Sequence, residues 1–591
     1  MRKPCEKNIN RLREAAMGKI PCDLSIENSK FLNVFSGEIY PASVDILDGF
    51  VIRIREGDEK APLPSAEVYD AGGKYLAPGF IDTHMHVEST MMIPEQFGRA
   101  VIPWGTTTVC TDPHEIGNVQ GIEGVRFMLE SGRRSVLRHY VLAPSCVPAV
   151  QALENSGAVF SAKEVAQMLE MDDVVGVAEI MDFIGVINGS DRMDSIIAEG
   201  RKRGVFLQGH MPGLSGGELS AYRIGGPESD HEMFDAGDIR KKIRAGFHVN
   251  IRSSSLTDHI TELVKGIKDM PSKEMVSVCT DDVHAGDLLK KGHVNWVVKR
   301  MIECGIMPGD AYRCATINAA REYHFEDLGA LAPGYIADCQ LLRELDGGRP
   351  EAVFAMGKLV ALNGKYLPGT DGSAPSLPLR VELAGLGSPD DLRIAVPGQS
   401  SGTVKVRCMK RIAENSPYHT DEWVSLPVKD GFVSLGDAKR DFQFIAVVNR
   451  YGKQAKTVAL IKGFGLKEGA YASTISHDSH NLIIVYTSAE DAWAAAKELE
   501  RTGGGITLIK QGKPIGTLAL PVGGLMSTLP CGELAAEIEK MAAVVREHCR
   551  DDTKLLATAI LSLSVLPAIV ITDKGLVDGR TQTFLEILKK D

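Results

Sequence analysis

The sequence predicts an α/β protein: a (β/α)8 TIM barrel, a small β-sandwich domain built from both flanks of that barrel, and a C-terminal α/β domain. Three observations lead there. Short β-rich runs alternate with helical stretches about eight times over about 250 residues, which is the size and period of such a barrel. Strand-rich segments lie on both sides of that block. Finally, the residue types that carry chemistry (His84/His86, Glu179, His210, His231 and Asp281/Asp282) all fall at the C-terminal ends of separate strands. A barrel gathers those ends on one face, whereas an open doubly wound sheet would string them along an edge.

The elements justify this layout in order. Segment 22–75, which includes DLSIENSKFLNVFSGEIYPASVDILDGFVIRI, alternates apolar and polar positions between turn residues, the pattern of short antiparallel strands. A similar patch returns at 328–368, so the small β domain is assigned 1–75 and 326–375, with the barrel at 76–325. The barrel strands are expected in YLAPGFIDTH, TTTVCTDPH, RHYVLAPS, VVGVAEIM, VFLQGH, a weak one ending at SDHE, FHVNIRSSS and MVSVCTDD. Segment 376–591 mixes strands such as FQFIAVVNR and NLIIVYTS with helices such as SAEDAWAAAKELERTG and ELAAEIEKMAAVVREH. Within it, Leu555 to Thr572 is long enough to span a membrane. Pro567, its serines and threonines, and the lack of a second such segment make it a buried helix followed by a strand.

Composition narrows the function. A chain of 591 residues exceeds one core, and 44% hydrophobic content is that of an ordinary globular protein. The net charge of −11 is spread along the chain, which argues against nucleic acid and for a small-molecule substrate. The N-terminus MRKPCEKNINRLREAAMGKIPCD lacks the apolar core of a signal peptide, so a cytoplasmic location and no membrane partner are expected. The eleven cysteines are scattered, odd in number and contain no CxxC, and they read as buried thiols.

His84 and His86 share one face of a strand, so both can bind one ion. An HxH alone is also met as core or surface residues. Glu179 ends an apolar run, where a carboxylate is costly to bury without a partner or cation. With His210, His231 and Asp281 the set becomes four imidazoles and two carboxylates. That exceeds the needs of one tetrahedral ion and suits two ions about 3.5–4 Å apart. Such a pair supplies hydroxide near neutral pH, and hydrolysis is the expected reaction. His114 and Glu115, at the end of the second strand, and Glu88 and Asp282 are candidate substrate contacts. Gly213, Gly216 and Gly217 permit a tight loop beside His210. His477 and His480 in SHDSHN lie outside the barrel, and both a local turn network and closure over its mouth are open for them.

These stretches (PGFIDTHMHVESTMM, TDPHEIGNV, GVAEIMDF, GHMPGLSGGELSAYRIGGPESDHE, CTDDVHAGDL and, in the last domain, ISHDSHNLIIV) resemble the amidohydrolase superfamily and, within it, the adenine deaminase family. The resemblance implies that His84 and His86 hold one metal, that His210 and His231 hold the other, and that Asp281 is both ligand and proton carrier. It implies hydroxide attack on C6 of adenine, yielding hypoxanthine and ammonia as in purine salvage. The cofactor would be two divalent ions, Mn2+ by resemblance, with Fe2+ or Zn2+ as alternatives. Relatives that open cyclic amides bridge their metals with a carboxylated lysine, but GVAEIMDF offers Glu179. The cytidine-type zinc deaminases need a PCxxC that is absent here. Protonating the ring at N1 needs an acid beside the metals, for which Glu179, Glu88 and Glu115 are candidates. A cyclic-amide hydrolase and a barrel without catalysis are the alternatives. A homodimer or higher homo-oligomer is the expected assembly.

Overall fold

The computed structural model describes residues 6–57, 64–255, 257–369, 376–378, 380–412, 418–436, 442–550 and 553–589. They form two compact units. The first comprises residues 1–112, 128–143 and 162–374, and the second comprises 113–127, 144–161 and 375–591.

The first unit begins with β1 (Cys22–Leu32), β2 (Ile39–Leu47), β3 (Phe50–Glu56), β4 (Ser65–Asp70) and β5 (Tyr75–Pro78). Eight parallel strands come next: β6 (Phe80–Met85), β7 (Thr106–Thr111), β8 (Arg138–Ala143), β9 (Val174–Ile180), β10 (Phe206–Gly209), β11 (Ser229–Asp230), β12 (His248–Arg252) and β13 (Val276–Cys279). Strands β14 (Cys339–Leu342), β15 (Ala352–Ala355), β16 (Lys358–Leu362) and β17 (Lys365–Tyr366) then return to pair with the first five. The resulting sheet runs β17-β16-β15-β14-β5-β1-β2-β3, with β4 beside β1. Its junction is the antiparallel pair β14–β5, which matches Cys339 with Pro78 and Leu342 with Tyr75.

The parallel strands pair in the order β10-β9-β8-β7-β6 and β11-β12-β13. Two seams join these arcs. At one, Glu228 N donates to Leu207 O and His248 N to Glu228 O. At the other, Asp281 N donates to His84 O and His86 N to Asp281 O. The sheet is thereby closed on itself, a TIM-barrel-type α/β fold. Side chains alternate as strand geometry requires. Val249, Ile251, Val276 and Val278 pack in one cluster with Leu263 and Val297 from flanking helices. The residues between them are polar: Asn250 and Ser277 bond Glu322, and Arg252 bonds Asp281.

The run YLAPGFIDTH, read as one strand, is two strands in two sheets. Gly79 makes the turn between them: its N–H bonds Asp338 O while Phe80 N–H bonds Gly105 O. A Cβ at Gly79 would overlap the buried Thr107 side chain of β7.

The second unit is built on the sheet β20-β19-β18-β22-β21-β24-β23-β25-β26. Its strands are β18 (Ser401–Arg411), β19 (His419–Lys429), β20 (Phe432–Val433), β21 (Phe442–Val448), β22 (Lys456–Lys462), β23 (Ala470–Ser473), β24 (Leu482–Tyr486), β25 (Gly505–Lys510) and β26 (Lys513–Ala519). Helix Ala489–Thr502 starts at Ser488, whose hydroxyl accepts from Asp491 N, and ends at Gly503 in the left-handed conformation. Its alanine face packs on Ala446, Ile484 and Leu482 of the sheet. Residues 113–127 and 144–161 belong to this unit through Arg380, which donates to Val119 O and Gly157 O, and through Asp573, which receives Asn155.

Leu555 to Thr572 is not helical. It forms successive turns and then β27 (Ile569–Ile571), which pairs with β28 (Leu576–Asp578), itself paired with β29 (Thr583–Leu585). Its hydroxyls explain the difference, because Ser562 donates to His477 O and Ser564 to Glu154, partners outside the segment that a helix would not face together. Among the described residues no helix is long and apolar enough to cross a membrane. All ten described cysteines are free thiols; Cys5 lies outside the described residues.

Replacing Gly79 by Ala should lower stability by about 1–3 kcal/mol through overpacking. Chemical denaturation checks this, and an unchanged midpoint would show that β7 gives way freely.

Candidate metal centre

The six ligand candidates His84, His86, Glu179, His210, His231 and Asp281 all belong to the first unit. His84 and His86 come from the end of β6, and Asp281 is locked against them by the seam. Asp281 takes a left-handed φ of +56°, a conformation costing about 1–3 kcal/mol in a non-glycine residue. Its Oδ1 lies 3.3 Å from both His84 Nε2 and His86 Nε2. Glu179, at the end of β9, turns Oε1 to His86 Nε2 at 3.5 Å and Oε2 to His210 Nδ1 at 2.7 Å and His231 Nε2 at 3.3 Å. The His84 and His231 rings stack with centroids 4.0 Å apart. All six side chains are buried except that of His210, which is partly exposed.

The donor set fits divalent metal ions on its own evidence. His84 Nδ1 bonds Gln208 Oε1 at 2.9 Å, and His86 Nδ1 bonds the carbonyl of Asp112 at 3.0 Å. Both acceptors require the proton on Nδ1, so each Nε2 presents a lone pair toward the carboxylates. That is the tautomer a metal ligand needs. His84 Nε2 and His231 Nδ1 are buried without hydrogen-bond partners. The groups His84/His231/Asp281 and Glu179/His210/His231 are each compact enough to surround an ion.

Charge follows the same arrangement. Burial works against ionised Glu179, but His210 and then the other imidazoles outweigh it and hold its carboxyl well below the usual range. Asp281 is likewise buried, and Arg252 outweighs that burial and keeps it ionised. For His84, burial and the neighbouring His231 push the pKa down. His210 is the exception: burial opposes its charge, yet Glu179 raises it to about 9.

Sequence reasoning missed the residues that hold this set. Arg252 Nη1 donates to Asp281 Oδ2 at 2.7 Å and also contacts Glu232. Lys242, fully buried, bonds Asp230 Oδ2 at 2.6 Å, Met211 O at 3.2 Å and Glu232 O at 3.0 Å, and so ties together the residues next to His210 and His231. Asp82 accepts from Thr280 across the seam, and burial raises its pKa to about 7. The alternation Asn250, Arg252 in FHVNIRSSS was the one available signal; Lys242 sits in a basic helix and gives none.

Of the remaining candidates, Glu88 is buried in the turn Val87–Thr90 just after His86. Asp282 accepts from Ser89 Oγ at 2.5 Å. His114 and Glu115 open the helix His114–Gln120 of the second unit, where His477, Asp478 and His480 face them. Gly213 takes a left-handed φ of +76° in the loop before helix Gly216–Gly225.

Residues 75–360 match the amidohydrolase family, and residues 418–583 match the adenine deaminase C-terminal domain. Adenine deaminase 2 of Carboxydothermus hydrogenoformans is 38% identical over 582 residues, which cover 97% of this chain and 98% of that protein. The chain belongs to the adenine deaminase family. Adenine deaminases of Moorella thermoacetica (38% identical, 98% of this chain and 97% of that one) and Bacillus pumilus (34%, 97% and 98%) match over the same extent. Among solved structures, a β-aspartyl dipeptidase from Fervidobacterium islandicum AW-1 is 18% identical and covers 59% of this chain and 99% of that one, with a TM-score of 0.45. Membership in the adenine deaminase family agrees with a hydrolase that acts on carbon–nitrogen bonds with divalent metal.

Two measurements test this centre. His210 must lose its proton to bind an ion, so loading the metal-free chain at pH 7 should release a proton from it. The release should fall as pH rises through about 9 and should drop by one equivalent in His210→Gln. Potentiometry reads it, and equal release by both proteins would contradict the assignment. Replacing Gln208 by Leu removes the acceptor that orients His84 and should weaken metal affinity about 10–100-fold in chelator competition.

Proposed function

We propose that this chain deaminates adenine hydrolytically to hypoxanthine and ammonia at a two-metal centre, as a water-soluble cytoplasmic homo-oligomer serving purine salvage. The observation that carries this reading is Glu179, whose two oxygens face different imidazoles: Oε1 toward His86, Oε2 toward His210 and His231. In this reading His84 and His86 hold one ion, His210 and His231 hold the other, Glu179 bridges them and Asp281 completes the set. Two divalent ions bound there would make hydroxide available near neutral pH and polarise the carbon it attacks. The ligand types suit manganese, iron(II) and zinc alike. Manganese is the proposed resident ion.

The chain's own groups divide the proton work. Arg252 engages Asp281 Oδ2, which leaves Oδ1 turned toward His84 and His86. Asp281 Oδ1 takes the proton of the attacking water and passes it to the exocyclic amine, so that the C6–N bond breaks with neutral ammonia leaving. Protonation of the ring at N1 falls to Glu88, which is buried beside His86 and regains its proton from the C6 hydroxyl as ammonia leaves, because Glu179 is held ionised. Asp282, fixed by Ser89, is proposed to meet the edge of the purine. A carboxylate at position 179 in place of lysine supports the deaminase reading over a cyclic-amide hydrolase.

The test is the metal-free chain reloaded separately with Mn2+, Fe2+ and Zn2+ and assayed for loss of adenine and formation of ammonia, with adenosine as control. Turnover of adenine alone is expected, and a metal-loaded chain that opens a cyclic amide and leaves adenine intact would overturn the reading. Asp281→Asn and Glu179→Gln should each cost about 10²–10⁴ in kcat while the circular dichroism spectrum is unchanged.

A further inference from the structure

We propose that His114, His477 and Asp478, with Glu115 beside them, bind a further divalent transition-metal ion within the second unit. His114 and Glu115 open helix His114–Gln120, and His477 and Asp478 lie in the turn that leads into β24.

Geometry is the first support. His114 Nε2 stands 3.5 Å from Asp478 Oδ1. His477 Nδ1 stands 3.9 Å from the same oxygen and 3.7 Å from Glu115 Oε1. These separations are too long for hydrogen bonds. They are also too short to seat a bridging water, which at bonds of about 2.8 Å keeps its partners about 4.5 Å apart. Donors arranged tetrahedrally around an ion at about 2.0–2.1 Å stand about 3.3 Å apart. In the first unit His84, His86 and His231 stand 3.3–3.5 Å from Asp281 or Glu179, while His210 bonds Glu179 at 2.7 Å, so the second cluster differs from those three by only a few tenths of an ångström.

Electrostatics is the second. Glu115 and Asp478 are almost fully buried, with 2% and 3% of their side chains exposed. A buried carboxylate is costly without a compensating cation. Among the described residues Asp478 is paired with imidazoles and with no lysine or arginine, and its Oδ2 is buried without a hydrogen-bond partner. Imidazole and carboxylate donors together select zinc, manganese or iron over calcium or copper(I).

His480 defines its own part by its tautomer. Ser476 N donates to His480 Nδ1 at 3.2 Å, and burial, with His477 beside it, keeps the ring neutral. The proton therefore sits on Nε2, which is no lone pair for an ion. Glu115 Oε2 stands 3.6 Å from it, beyond hydrogen-bond reach. The turn is set in advance: His477 N donates to Ala559 O, Ser562 Oγ to His477 O and Tyr451 Oη to Ser479 O.

The experiment counts ions. The full chain is stripped with chelator, titrated with Zn2+ and separately with Mn2+, and the bound metal is measured after gel filtration. Asp478→Asn and His477→Ala should each bind one equivalent less than the wild type. That difference of one stands whether the wild-type total is three or two, so it is separable from failure of the two-ion reading of the first unit. Variants that keep the wild-type number would overturn the proposal. Anomalous diffraction from zinc-loaded wild-type crystals guards against misfolded variants: a peak among His114, His477 and Asp478 supports the site, and its absence refutes it.

Discussion

The closure of the parallel sheet between its first and last strands is the constraint on which the rest of the first unit depends. The residues that close it are also residues proposed to carry its chemistry. Asp281 donates its backbone N–H to His84 O and accepts from His86 N–H. Its left-handed backbone is therefore fixed from both sides, and its side chain is delivered between the two rings. Asp82 and Thr280 repeat the link one step deeper, with carboxylate and hydroxyl in contact at 2.6 Å. A barrel that failed to close here would lose its site and not merely distort it.

The buried charges show how such a site is held before any ion arrives. Glu179 and Asp281 are surrounded by imidazoles, and Arg252 supplies the one permanent positive charge in contact with Asp281. Lys242 does the equivalent for the residues beside His210 and His231, through the Asp230 carboxylate and the carbonyls of Met211 and Glu232. Breaking one partner of a buried pair of this kind costs about 3–5 kcal/mol, since the other charge is left uncompensated. The ligands are thus positioned by partners that themselves have little freedom. Gln208, which sets the tautomer of His84, is itself tied to Thr83 O and to Tyr323 Oη.

Periodicity made the parallel strands legible, including the two-residue β11, which leads into His231. The division at Gly79 was not legible. YLAPGFIDTH is apolar throughout most of its length, and only the third dimension shows that Leu76 pairs with Leu341 while Ile81 pairs with Thr108. Leu555 to Thr572 misled for the opposite reason: its hydropathy is that of a helix, but its hydroxyls are engaged by Glu154 and His477, residues distant in sequence. Arg252 and Lys242 are ordinary basic residues in a sequence, and their burial against Asp281 and Asp230 depends on contacts that no local pattern encodes. The membership of residues 113–127 and 144–161 in the second unit is likewise written in Arg380 and Asp573, far along the chain.

The seam also bears on when the centre can exist during synthesis. Thr280 and Asp82 are 198 residues apart, so a chain still emerging from the ribosome carries both histidines of β6 long before the residue that must lie between them. Until β13 is made, His84 and His86 are exposed imidazoles on an unclosed sheet, able to pick up whichever ion is most competitive for nitrogen. The placing of Asp281 between His84 and His86 is therefore a property of the finished ring.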